Sequence, residues 1–123
     1  MIQGCVKTSQ QNQTLIPNGI RTSSMWDRMR GLLGRKQLSS EQGLWISPCP
    51  SVHTMGMRYP IDVVFMDRKG NVKKISHNLK PMRFSSCSGA YSVLELDNGM
   101  AKKLQITTGI QLQWETNEVI QTK

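Results

Sequence analysis

The chain has 123 residues, 37% hydrophobic and 20% charged. That is long enough for one domain with its own core and too apolar for a disordered segment. No apolar run approaches the roughly 18 residues of a membrane-spanning helix. The net charge of +8 leaves nucleic acid, anionic lipid or an acidic protein open as partners, beside a merely solvated basic face.

Residues 1–13 are polar and weakly patterned, a loose tail or an edge strand. The start, Met1 to Cys5, has neither the basic region nor the apolar stretch of an export signal, so the chain is expected in the cytoplasm. Thr14-Leu15-Ile16 is a short strand candidate, closed by the turn residues Pro17-Asn18-Gly19. Ser24 with Asp27 has the capping-box spacing and predicts a helix start. Met25, Trp26, Met29, Leu32 and Leu33 then fall on one helical face, expected to be core, with Gly34 as the stop.

Gly43-Leu44-Trp45-Ile46 reads as a short buried strand, halted by Ser47-Pro48-Cys49-Pro50. Two prolines remove two backbone donors and predict a rigid loop around Cys49. Ile61 to Met66 and Val72 to Ile75 flank Asp67-Arg68-Lys69-Gly70-Asn71, a hairpin with glycine at a left-handed position. A long loop holds Pro81 and Cys87, Ser92 to Leu96 is a strand, and Ile110 to Trp114 alternates as a half-buried strand. The expected fold is mainly β (α+β): a small antiparallel barrel or sandwich-like sheet with one amphipathic helix packed against it. Residues 1–123 form one domain, with 1–13 and 116–123 as loose ends.

Chemistry concentrates between Cys49 and Asp67. Three cysteines, Cys5, Cys49 and Cys87, fit reduced thiols better than a disulfide scaffold, although a Cys49–Cys87 bridge stays open. Cys49 and His53 are a weak nucleophile–base candidate. Cys49, His53 and Cys87 are a weak zinc candidate, since their spacings are unlike those of paired structural ligands. Asp62 and Glu95 each interrupt an apolar strand. Each is either hydrogen-bonded to backbone or arginine, or a pocket carboxylate that binds a cation or polar ligand; if both face one cavity, like-charge repulsion would raise one pKa and mark an acid/base pair. Ile61, Val63 and Phe65 share one strand face, and Asp62, Val64 and Met66 the other. His53, Thr54, Met57, Asp62 and Glu95 are the candidate ligand-binding residues. No cofactor or resident metal is expected. Arg68, Lys69, Lys73 and Lys74 supply charge for nucleic acid, but the aromatic interleaving of a single-strand binder is poor.

An ordered set of segments carries a resemblance. It comprises Arg28 to Arg35 with Leu38, Gly43 to Ile46, and His53 to Asp67 with Gly70 and Val72. Pro81, Val93 to Leu96 with Gly99, and Gly109 complete it. Over roughly 21–114 the chain resembles the DUF192 family, also called UPF0127. The resemblance implies a compact, mainly β domain and brings no catalytic assignment. Where many members have an aromatic segment before the aspartate strand, this chain has Met55-Gly56-Met57, with Cys49 and His53 upstream. The expected function is a small-ligand-binding or accessory domain with a polar pocket near His53, Asp62 and Glu95. A hydrolase-like enzyme using Cys49 and His53 or a metal, and a basic nucleic-acid or anionic-partner module, are the alternatives.

Overall fold

The computed structural model describes residues 1–117. Nine strands and two short helices alternate along the chain: β1 Ile2–Thr8, β2 Thr14–Arg21, α1 Met25–Arg30, β3 Gln42–Ile46, β4 Ser51–His53, β5 Ile61–Met66, β6 Val72–Leu79, β7 Phe84–Ser86, β8 Ser92–Asp97, α2 Met100–Lys103 and β9 Leu112–Thr116. Seven strands form one sheet in the order β6-β5-β8-β3-β2-β1-β9, and β4 pairs with β7 as a separate two-stranded flap.

The sheet is mixed: β2 and β3 run parallel, and the other pairs are antiparallel. It curls until the Asn71 turn meets Gln111 in a single bridge, so its edges approach at one corner without closing a barrel. The opening residues are not a loose tail. β1 lies between β2 and β9, its N-terminal half held by a register from Ile2 opposite Arg21 to Gly4 opposite Gly19. The expected loose C-terminal end is in part strand, since β9 runs to Thr116 and Asn117 donates its amide to Gln3; residues 118–123 lie outside the described ones.

β5 and β8 are the centre of the sheet and explain the rest. All six residues of β5 are buried, as expected for a strand covered on both faces. Val64 and Met66 pack with Leu94, Leu96, Met100 and Ala101 on the face that α2 covers. Val63 and Phe65 pack with Val93, Leu32, Leu38 and Val52 on the opposite face, which the segment after α1 and the flap cover. The alternation read from the strand therefore sets which residue looks at which layer.

α1 departs from the expectation. Its start is as the sequence reads: Ser24 accepts the Asp27 amide at 3.1 Å, while the Asp27 carboxylate turns back to the Ser23 amide at 3.0 Å. Its end comes early, at Gly31, whose φ of 52° and ψ of −127° suit glycine. No residue of α1 is buried, and Trp26 and Met29 are 79% and 67% exposed. The apolar stripe expected in the core is a surface stripe; only Leu32, beyond the helix, enters the core. The reason is length. A six-residue helix turns away at Gly31 before its apolar face can lie across the sheet.

Candidate functional site

Asp62 and Glu95 sit on neighbouring strands, yet they face opposite sides of the sheet. Val63 is the β5 residue opposite Glu95, and Leu96 the β8 residue opposite Asp62. Side chains of directly paired residues share a face, so the two carboxyls do not meet in one cavity.

Asp62 is fully buried and fully engaged. Its Oδ1 accepts the Asn78 amide at 2.9 Å, and its Oδ2 accepts the Ala101 amide at 2.9 Å. Each donor lies where the regular backbone pairing is interrupted. Asn78 lies where the β5–β6 register slips, between the pairs Ile61–Leu79 and Val63–Ser76, with its own φ at 51°. Ala101 is in the first turn of α2, whose N-cap is Gly99 and has no side chain to cap it. Asp62 caps α2 from β5. It binds backbone and presents nothing to a ligand.

Thr54 is also removed from any pocket. It is fully buried, its hydroxyl donates to the Lys80 carbonyl at 2.5 Å, and it accepts the Arg83 amide at 2.9 Å. These bonds clasp the end of β4 to the loop before β7.

Glu95 differs. It is 6% exposed, its strand neighbours are Leu44 and Val63, and no hydrogen bond or ion pair reaches its carboxyl among the described residues. The carboxyl opens on a pocket of about 90 Å³ beneath α1. Gly31 lies over it: a Cβ there would come 3.9 Å from Oε1. Burial pushes the Glu95 carboxyl from 4.5 up to about 7. It therefore exchanges its proton near neutrality, on a face where no described residue partners it.

Cys49, His53 and Met57 line the same pocket, with Arg28, Met29, Arg30, Leu33 and Met55 on its walls. His53 is exposed at the mouth. The Cys49 thiol is half-buried and donates to the Ser51 carbonyl at 3.0 Å; burial raises its pKa above the ordinary thiol value. That is the opposite of what thiolate catalysis requires. Cys87 does not line the pocket, all three cysteines are free, and among the described residues no three His, Cys, Asp or Glu side chains are grouped as metal ligands.

The site therefore brings together His53, Met57, Glu95 and Cys49, and leaves out Asp62, Thr54 and Cys87. Sequence reasoning missed the arginines, and it placed Met29 and Leu33 in the core. Gly31, inside the expected helix, was the available signal for an interruption there. The basic hairpin lies elsewhere: Arg68 stacks 4.2 Å from the Tyr91 ring, and Lys74 donates to the Ser86 carbonyl at 2.7 Å. No described helix is long and apolar enough to cross a membrane.

No curated protein matches the chain. Two solved structures share the fold. One is a protein of unknown function from Novosphingobium aromaticivorans DSM 12444, 23% identical, with a TM-score of 0.76 over 91% of this chain and 85% of that one. The other, from Sinorhizobium meliloti 1021, is described as a candidate transcription regulator; it is 21% identical, with a TM-score of 0.77 over 92% of each chain. At these identities the likeness extends to the fold and no further. The model of DUF192, described as an uncharacterized ACR, matches residues 9–114, from just after β1 to the middle of β9, and this chain belongs to that family.

Proposed function

We propose that the protein binds a small ligand in the pocket between α1, β4 and β8, seating a hydrogen-bond-donating head group on Glu95. The observation that carries this reading is a glutamate, 6% exposed as a residue, whose carboxyl has no protein partner among the described residues and opens on a pocket of about 90 Å³. A buried carboxylate without hydrogen bonds is costly, and a ligand donor removes that cost. A head group with a positive charge suits the ionised carboxylate, and an apolar body suits the walls of Met29, Leu33 and Met55. Binding without chemistry is favoured over nucleophilic catalysis because the nearest thiol, Cys49, is kept protonated by burial, which outweighs the lowering effect of its hydrogen bond with Ser51.

The test is thermal stability with simple amines, from methylamine to n-butylamine, at pH 8. Wild type is expected to gain stability with n-butylamine, and Glu95→Gln to gain none. Equal responses of the two proteins, or no response to any amine, would remove the reading.

A further inference from the structure

The pocket does not end at Glu95. A second depression of about 360 Å³ adjoins it, and the two share Leu32, Leu33 and Met57. Together they make a groove along the turn after α1, with the 55–59 loop as its other bank; a Cβ on Gly56 would touch Leu33 at 2.9 Å. Apolar side chains stand exposed around this groove: Met29, Leu33, Met55 and, opposite His53 on β7, Phe84; Trp26 is exposed on α1 just before it. Exposed apolar clusters rimmed by charge mark interaction sites, and methionine adapts its shape to a partner. A small amine would fill the Glu95 pocket and leave most of this surface in water.

The charges say what kind of chain fits. Arg28 and Arg30 line the first depression, and Arg35 and Arg58 the second. Glu95 is the one carboxyl lining either of them among the described residues. An arginine-rimmed groove with a single buried acid selects against a polybasic segment and against an anionic head group entering the pocket. It is complementary to an extended acidic segment with one cation at its centre.

We infer that this groove docks a partner polypeptide in extended form, with one lysine inserted to Glu95, apolar residues beside it on the methionine rim, and acidic residues outside against Arg28, Arg30, Arg35 and Arg58. This rests on the proposed amine-binding role of Glu95 and adds the source of the amine. The aliphatic stem of lysine matches apolar walls, and its ammonium supplies up to three donors to a carboxyl that has none. Buried anchors of this kind concentrate binding energy at the centre of an interface.

The experiment uses the full chain and four probes at pH 8: a short blocked peptide with a central lysine between leucines and glutamates at its ends, the same peptide with norleucine for lysine, n-butylamine, and vesicles of anionic phospholipid. Trp26, exposed on α1 two residues before Arg28, is the fluorescence reporter, with Trp26→Phe as the control for Trp45 and Trp114. The lysine peptide is expected to bind at least 10-fold more tightly than the norleucine peptide. Glu95→Gln should remove that preference while leaving the norleucine peptide unchanged. Equal affinity for the two peptides overturns the lysine anchor. Binding of n-butylamine without binding of either peptide overturns the docking surface and leaves the small-ligand reading standing. Binding to vesicles with no response to the lysine peptide assigns the rim to a lipid surface and overturns it too. Silence from the amine and both peptides removes both readings together.

Discussion

Two acids on adjacent central strands, almost equally buried, have opposite situations. Asp62 spends both carboxyl oxygens on backbone amides, one at a bulge of β6 and one at the uncapped start of α2. Glu95, across the ladder and on the other face, has no such donor among the described residues and opens on solvent through a pocket. The difference lies in what covers each face. α2 arrives on the Asp62 side with its Ala101 amide on the carboxylate; α1 ends above Glu95 in Gly31 and offers no donor to it. A buried acid is a structural part when the layer above it supplies amides, and an available site when that layer supplies only apolar walls.

The largest effect should come from breaking the satisfied side. Asp62→Ala strands the Asn78 and Ala101 amides in the interior, and each unmet buried donor costs about 1–3 kcal/mol. The expected loss is roughly 4 kcal/mol in denaturant unfolding, with α2 the first element to lose amide protection in hydrogen exchange. Asp62→Asn keeps one acceptor and should lose about half as much. A loss below about 1 kcal/mol for the alanine variant would mean that Asp62 does not pin α2.

The opposite sign is expected for Glu95. Its folded pKa, about 7, lies above the ordinary 4.5, so folding favours the protonated form. The stability associated with that form is fully present below about 4.5 and is lost as pH rises through about 7. Glu95→Gln removes this dependence. Relative to wild type it should gain stability between pH 5 and pH 8, by an amount bounded at roughly 3 kcal/mol for a shift of this size. The measurement is the wild-type minus variant difference in unfolding free energy across pH. A flat difference would show that Glu95 is as well solvated as a surface acid.

Half of this contrast was legible in the sequence. Alternation along Ile61 to Met66 assigns Asp62 to the face of Val64 and Met66, and that is where it lies, packed over by α2. The Asp67 to Gly70 turn was equally readable, because Gly70, at φ 86°, meets the Leu112 carbonyl too closely for any side chain. The register between β5 and β8 was not readable, and it decides that Glu95 looks the other way. Pairing register is set by contacts far apart in sequence. The parallel pairing of β2 with β3 was hidden for the same reason. The helix was misjudged on a different ground. The 3.6-residue period of Met25, Trp26, Met29 and Leu33 correctly marks an apolar stripe, but a stripe states only that a face is apolar, and here none of the described residues covers it.

A smaller version of the same contrast lies at the rim, in two consecutive residues. Thr54 is buried and bonded to Lys80 and Arg83, while His53 beside it is exposed at the pocket mouth. Thr54→Val keeps the shape and removes the hydroxyl, leaving the Arg83 amide without this acceptor. The expected cost is about 2 kcal/mol. His53→Gln should leave unfolding within about 0.5 kcal/mol of wild type, since an exposed side chain without buried contacts contributes little. A thermal scan of the pair separates them; equal losses would mean that the flap is held by something other than Thr54.

The smallest effect on stability belongs to the exposed stripe of α1. Trp26→Ser and Met29→Ser remove large apolar side chains, a change that in a core would cost several kcal/mol. Here both residues are mostly in water, so the unfolding free energy should move by less than about 0.5 kcal/mol, and solubility should rise. The near-zero result is the informative one. An apolar side chain that does nothing for the fold and sits beside an unpartnered acid is free to be used for recognition, as the β5 and β8 core residues are not. A loss of 2 kcal/mol or more in either variant would show that α1 packs down in solution. The Glu95 pocket would then be closed by the chain's own helix, with no surface left for a partner.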